Sequence, residues 1–284
     1  GINQHLWRPR QRRIITILAA CFFYGMTGSG VCQEVTRQVD GFTLQGFNAQ
    51  GDPAWKVNGD TADIQGDTIM ISNVDANTYG ENEVNIKARR GEVDKASGNV
   101  LLTDDVVVTT SQGSQLKTDS LQWEKGKNTV STLDPAVITD KAMKAEGIGL
   151  TANSELKTAQ LQRNVTVEID ETQDNADSGG QQQIVITCDG PMELDHANNT
   201  AILRENVVAV RGEETLKADK VEVYFDPETK KIVTIVCTDH VSVQRGENIS
   251  YSDKAIYSAA DQKVIFVGRP KLIMITDEKE NPFF

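Results

Sequence analysis

The sequence predicts an all-β protein, and three observations indicate this fold class. Residues 34–284 contain short segments that are rich in Val, Ile and Thr and in which polar and apolar residues alternate. Alternation with a period of two is typical of half-buried β-strands. Gly, Asn and Asp recur between these segments about every 8–12 residues, as in all-β sandwiches and barrels. Almost no segment has the apolar period of an amphipathic helix. The predicted strands include 42–47, 68–72, 84–88, 106–109, 165–169, 207–210, 221–224, 264–267 and 271–275.

A short phrase recurs along this region: a polar residue, often Asp, is followed by apolar residues two and four positions later. Segments 92–110 and 193–210 also align without a gap. We therefore expect two copies of one architecture, each stacking hairpin units of about 30 residues whose apolar faces are buried by their neighbours. We interpret the recurring Asp as a turn residue that caps backbone N–H groups where a strand pair starts. Copies of the short phrase begin at Asp60, Asp119, Glu146, Asp219 and Asp253, and a degenerate copy begins at Arg89.

The segment 170–183 interrupts the strand pattern, since Ala176 is its only apolar residue. Such a composition is typical of a flexible linker and indicates a domain boundary. The predicted organisation is an N-terminal membrane anchor or signal peptide (1–33), a first β-domain (34–169), the polar linker (170–183), a second β-domain (184–276) and a polar tail (277–284).

The first 33 residues predict export. A basic stretch from Arg8 to Arg13 precedes an apolar run that starts at Ile14, and small residues around Gly28 and Gly30 follow it. This order is typical of a secretory signal peptide. The run is also close to the length of a single-pass helix, in which case Ile14, Leu18, Phe22 and Phe23 lie in the membrane. Both interpretations leave the arginines in the cytoplasm and export the body of the protein.

The composition disfavours several classes of function. The net charge of −12 opposes binding to nucleic acid, whose affinity comes mainly from Lys and Arg on phosphates. Three His and four Cys without metal-ligand spacing predict no metal site, and no catalytic or cofactor-binding motif stands out. Cys188 and Cys237 lie in predicted strands, where two buried small side chains are favoured slightly over a disulfide.

Two stretches of the sequence resemble known families. "GFTLQGFNAQGDPAWKVNGDTADIQGDTIMISNVDANTYGENE" at 41–83, with its Gly51 to Trp55 turn, looks like the opening of the LptC family. "AEGIGLTANSELKTAQLQRNVTVEI" at 145–169 is similar to the closing segment of that family. The second half resembles the LptA/OstA-like domain through "LKADKVEVYFDPETKKIVTIVCTDHVSV" and "YSDKAIYSAADQKVIFVGRPKLIMI". The tandem order in one chain departs from both families.

The resemblance implies a fold and a function. The fold is two tandem open β-jellyroll domains (β-tacos) built from hairpin repeats and preceded by one N-terminal hydrophobic helix. The function is that of a non-enzymatic component of the bridge that carries lipopolysaccharide from an inner-membrane ABC transporter towards the outer membrane. The implied location is the inner membrane, with one N-terminal pass and the body in the periplasm. A soluble periplasmic protein after signal cleavage is the alternative. The implied partners are lipopolysaccharide, the transporter and an LptA-like protein.

An apolar groove for acyl chains is the site that we expect, because burial of each CH₂ contributes about 0.8 kcal/mol. Alternation along a strand places residues two apart on one face. The expected lining pairs are Leu121 with Trp123, Ile148 with Leu150, Val221 with Val223, and Ile273 with Ile275. For each of these residues a place in a dry β-core is the alternative.

The last strand is expected to be a free sheet edge, which recruits another chain through its unpaired backbone groups. It consists of Lys271, Leu272, Ile273, Met274 and Ile275.

Two other classes of protein compete with the transport interpretation. One is an exported β-solenoid scaffold with a dry core and no lipid. The other is a periplasmic glycan hydrolase, which requires two converging carboxylates.

Overall fold

The computed structural model describes residues 37–80, 83–140, 143–170, 183–229, 231–261 and 263–274, and its regular structure consists of antiparallel β-strands. The all-β prediction is therefore confirmed. Every predicted strand falls on an observed strand, but most observed strands are about twice as long as predicted. The strands are β1 (Arg37–Phe47), β2 (Pro53–Gln65), β3 (Thr68–Thr78), β4 (Val84–Asp94), β5 (Val100–Thr110), β6 (Gln115–Glu124), β7 (Thr129–Thr139), β8 (Met143–Asn153), β9 (Thr158–Asp170), β10 (Gln183–Cys188), β11 (Met192–Asp195), β12 (Thr200–Arg211), β13 (Glu214–Phe225), β14 (Ile232–Arg245), β15 (Asn248–Ser258), β16 (Lys263–Val267) and β17 (Lys271–Ile273).

The strands form one sheet in which neighbours in sequence pair with each other. Successive hairpins run from β1 to β9. Strand β9 then pairs with both β10 and β11, which both pair with β12. The hairpins resume from β12 to β15, and β15 pairs with β16 and β17. Thus β10 with β11, and β16 with β17, each occupy the place of one strand that is broken in its middle.

The two predicted halves share this sheet. Ile169 pairs with Ile184, Val165 with Cys188, and Leu161 with Met192. The edge of β9 that faces away from β8 therefore carries the hydrogen-bond ladder directly into the second half. Residues 171–182, which make up most of the predicted linker, lie outside the described residues.

The pairing of most long strands is interrupted near the middle, where an irregularity bends the strand, and short polar residues occupy several of these positions. Asn73, Asn164 and Asn206 have φ values of +50°, +51° and +52° there. Asn and Asp enter this left-handed region more readily than other side chains, and an extra residue in a strand sharpens its bend. A buried valine follows each of these asparagines: Val74, Val165 and Val207. We call this line of bends the corner of the sheet.

The recurring Asp residues lie at the corner, so our interpretation of them as turn caps was wrong. Asp60 is inside β2, and its Oδ2 accepts a hydrogen bond from the Asn73 side chain at 2.6 Å. Asp219 is inside β13 and lies 2.7 Å from Nδ1 of His240, which also has a positive φ. Turns and bends use the same short polar residues, which explains the error.

Proline breaks the two interrupted strands at the same corner. Gly190 and Pro191 separate β10 from β11, and Pro270 precedes β17. Proline has no N–H to donate to a ladder, so the regular ladder is interrupted there. Gly190 has φ +116°, and a Cβ at this position would collide with the backbone of Gln162.

The corner divides the sheet into two walls. One face of the sheet is buried in a single apolar cluster that extends from Ile71 to Ala255. A single-layer sheet buries one face only when it packs against another layer, so the two walls must cover each other.

No helix in the described part of the chain has the length and apolarity to cross a bilayer. The predicted N-terminal helix, with Ile14, Leu18, Phe22 and Phe23, lies outside the described residues.

Candidate functional site

Inward-facing apolar side chains form continuous rows across the sheet. Directly opposed residues of antiparallel strands lie on the same face, so the pairing register defines each row. We call the wall that contains Trp123 the first wall and the wall that contains Leu116 the second wall. The outer row of the first wall is Ile64, Ile69, Val93, Val100, Trp123, Val130, Ala152, Ala159, Leu194, Ala201, Val223, Ile235, Tyr257 and Val264.

A second row of the first wall lies nearer the corner and includes Leu121, Leu150, Leu161, Met192, Leu203, Val221, Cys237, Ala255 and Phe266. The second wall carries an equally long row. Its members are Val57, Ala76, Ile86, Val108, Leu116, Ile138, Ala145, Val167, Ile186, Ala209, Leu216, Val243, Ser250 and Leu272. Ser250 is its single polar member.

The rows are covered in the middle of the sheet and exposed at both ends. In the outer row of the first wall, the six residues from Val130 to Val223 are at most 8% exposed. At the end of the sheet formed by β1, Leu44 pairs with Val57 and is 50% exposed. At the other end, Leu272 of β17 is 59% exposed although it belongs to the inward row. The apolar interior therefore reaches both ends without a cap among the described residues.

The structure places the predicted lining residues as follows. Leu121, Leu150, Val221 and Val223 lie in the inward rows and are almost completely buried. Trp123 lies in the same face and is half-buried. Protein covers the first four in this structure, and contact with lipid stays a prediction for all five.

Ile148 and Ile273 do not lie where the alternation placed them. Ile148 is next to Gly149, whose φ is +78°, and it pairs with the exposed Arg163 at the corner rather than continuing the row of Leu150. Ile273 pairs with Ile249 on the outward face, while Leu272 takes the inward place. Because the strand is broken before Lys271, the alternation of earlier residues does not carry into it. Ile275 lies outside the described residues.

The predicted edge strand is only part of the C-terminal edge. Lys271, Leu272 and Ile273 form β17, and Met274 follows as an exposed residue outside the strand. Strand β16 supplies the other half of this edge, and we did not predict it as edge. Among the described strands, β1 pairs with β2 alone, so the sheet has a second free edge.

Acidic side chains line the outer side of the corner. Arg89 and Arg90 pair with Asp105 and Asp104, and the hydrogen bond from Arg90 holds the pKa of the Asp104 carboxyl below its usual value. Several other acidic side chains at the corner are exposed to solvent. They include Asp119, Asp189, Glu205, Asp239 and Asp253. This charge disfavours anionic lipid on the outer side of the corner.

His240 provides a test of the corner geometry. Its hydrogen bond to Asp219 raises its pKa above 6.5. The pair therefore stabilises the fold below pH 6.5, and this contribution is lost as the pH rises through the raised pKa. We expect an NMR titration of His240 to give a pKa above 6.5 and Asp219→Asn to lower it. An unchanged pKa in the variant would contradict this contact.

Cys188 and Cys237 are free and buried, as the favoured interpretation predicted. Burial raises the pKa of both thiols, that of Cys237 to about 12. Since the thiolate is the reactive form, we expect neither to react with a maleimide in the folded protein at pH 7, and both to react in urea. Labelling of Cys237 without denaturant would show that the interior opens readily.

Together, these features define a class of protein: a folded antiparallel sheet whose long apolar interior has no cap among the described residues at either end. The sequence model described as "Lipopolysaccharide-assembly, LptC-related" matches residues 14–170, more than half of the chain. The chain therefore belongs to the LptC-related family. The model of the "LptA/(LptD N-terminal domain) LPS transport protein" matches residues 186–281. Comparison with curated protein sequences gives no significant match.

The two matches confirm the resemblance found in the sequence, including its tandem order. They give the chain a role in lipopolysaccharide transport. Both are families of transport proteins rather than of enzymes.

Proposed function

We propose that this chain is a periplasmic segment of the lipopolysaccharide transport bridge, and that its inward rows hold the acyl chains. The observation that carries the proposal is the continuity of these rows across both halves and their exposure at both ends. A self-contained scaffold gains stability by capping such surfaces, as terminal repeats of solenoids do. An interior that continues into a neighbouring protein has no need of a cap.

The covered middle of the sheet sets a condition on this function. Leu150, Val207 and Val223 are almost completely buried by protein. Acyl chains that pass this region must replace the contacts between the walls, so the walls have to separate. This exchange is feasible because the protein and lipid surfaces are equally apolar, and each CH₂ that leaves water contributes about 0.8 kcal/mol.

The two free edges are the proposed partner sites. Strand β16 and the Lys271–Ile273 strand offer backbone groups and the exposed Val264 and Leu272 to an LptA-like protein. Strand β1 offers the exposed Val39 and Leu44 on the side of the inner-membrane ABC transporter. The junction of β9 with β10 and β11 supports this proposal, because there one continuous strand pairs with two short strands within the chain.

The proposed location is the periplasmic face of the inner membrane, with residues 1–33 as the anchor or signal. The sequence pattern of this segment supports the proposal, together with the LptC-related match that begins at residue 14.

A scaffold with a dry core is the second candidate, and the complete burial of the middle rows favours it. Depletion of the chain in the cells that encode it distinguishes the two. We expect newly made lipopolysaccharide to stay in the inner membrane of depleted cells and to reach the surface again when the full chain is restored. Normal delivery in depleted cells would contradict the transport function.

A further inference from the structure

One buried hydrogen-bond donor in the inward face, the indole N–H of Trp123, has no acceptor in the described part of the chain. The indole Nε1 of Trp123 is shielded from solvent and has no hydrogen-bond partner among the described residues. Its neighbours in the row are Val100 and Val130, which offer no side-chain acceptor. In the outer row of the first wall, Trp123 and Tyr257 are the two members whose side chains carry a polar atom.

An unsatisfied buried donor calls for an explanation, because leaving it without an acceptor destabilises the fold by about 1–3 kcal/mol. A phenylalanine would fill most of this space without this loss. Trp123 lies where its row changes from half-buried at Val100 to buried at Val130. Tryptophan is typical of such boundaries between apolar and polar surroundings, because its N–H bonds to a polar group while its rings stay in the apolar region.

We propose that the Trp123 indole N–H donates a hydrogen bond to a carbonyl oxygen at the acyl linkage of the bound lipid, and so fixes the depth of the acyl chains. This inference rests on the proposed function. The ligand class is an acylated glycolipid with ester- or amide-linked chains. The acyl carbonyl is the first polar group next to the hydrocarbon chains, and it carries no charge. A phosphate would be strongly disfavoured among valine side chains, because burial of a charge without a counter-ion is costly.

The test compares two synthetic probes with equal chain lengths: a diacyl glucosamine lipid with ester-linked chains and its ether-linked analogue, which lacks the carbonyls. We expect the full chain to bind the ester probe about tenfold more tightly than the ether probe. Trp123→Phe should bind both probes with the affinity of the ether probe. Trp55→Phe, which changes an exposed tryptophan, should keep the preference.

A second measurement needs no variant of Trp123. In the unchanged chain, the NMR signal of the Trp123 indole N–H should shift downfield with the ester probe and not with the ether probe. An ester preference that survives Trp123→Phe, or equal binding of both probes by the unchanged chain, would overturn this inference and leave the proposed function intact. Failure of the unchanged chain to bind either probe would overturn both.

Discussion

Replacement of Leu150 by Ala is expected to lower the free energy of unfolding by about 2–5 kcal/mol, the range for a large side chain removed from a packed core. Leu150 is fully buried, pairs with Leu161 and belongs to the central apolar cluster. Urea unfolding monitored by circular dichroism measures this change. The free energy of unfolding should keep the same dependence on urea concentration, because the same surface is exposed when either protein unfolds.

Leu133 offers a matched control for this prediction. It lies in the adjacent strand β7 and is 82% exposed, so Leu133→Ala should change the free energy of unfolding by less than about 0.5 kcal/mol. A similarly small effect for Leu150→Ala would mean that the walls do not pack against each other in solution. The interior would then be an open groove along its whole length rather than one that is covered in its middle.

Photo-crosslinking at the two end strands is expected to capture neighbouring proteins, and to do so only there. A photoreactive residue in place of Leu272 should yield an adduct with an LptA-like protein. One in place of Leu44 should yield an adduct with a component of the inner-membrane transporter. The physical reason is that both leucines are half-exposed apolar residues on strands that lack a second pairing partner among the described residues.

Leu101 is the control for the edge experiment. It is 39% exposed but lies on the outward side of β5, which has a strand on each side. Its backbone groups are already paired, so we expect no protein adduct there. Adducts of equal yield at Leu101 and Leu272 would show that neighbours contact the outer surface, and edge-to-edge pairing would be contradicted.

The strands could be predicted from the sequence because side-chain alternation follows directly from strand geometry. The faces of Leu121, Trp123, Val221 and Val223 were predictable for the same reason, since each pair lies within one uninterrupted stretch. Ile148 and Ile273 were not, because Gly149 with its positive φ separates Ile148 from Leu150 and a strand break precedes Ile273. A bulge or a strand break moves every later residue to the other face, and neither is marked by the apolar pattern itself.

The corner and the junction of the halves were harder to predict. Asn-Val dipeptides that begin at Asn73, Asn164 and Asn206 mark the corner, but Asn is equally common in turns. Asp189 occupies a corner position as well, and the sequence repeat did not include it. Pairing of β9 with β10 depends on backbone groups, which leave little trace in the sequence. The inward position of Leu272 became clear only from its pairing with Ser250.

The most direct test of a lipid-holding interior is photo-crosslinking to lipopolysaccharide in living cells. Photoreactive residues are placed at the inward positions Trp123 and Val223, and at their outward neighbours Gln122 and Glu222, and the products are blotted for lipopolysaccharide. Adducts at both inward positions and at neither outward position are the predicted result, and they would place lipid in both halves. An absence of adducts at Trp123 and Val223 in a folded, exported protein would contradict the account and favour a dry scaffold.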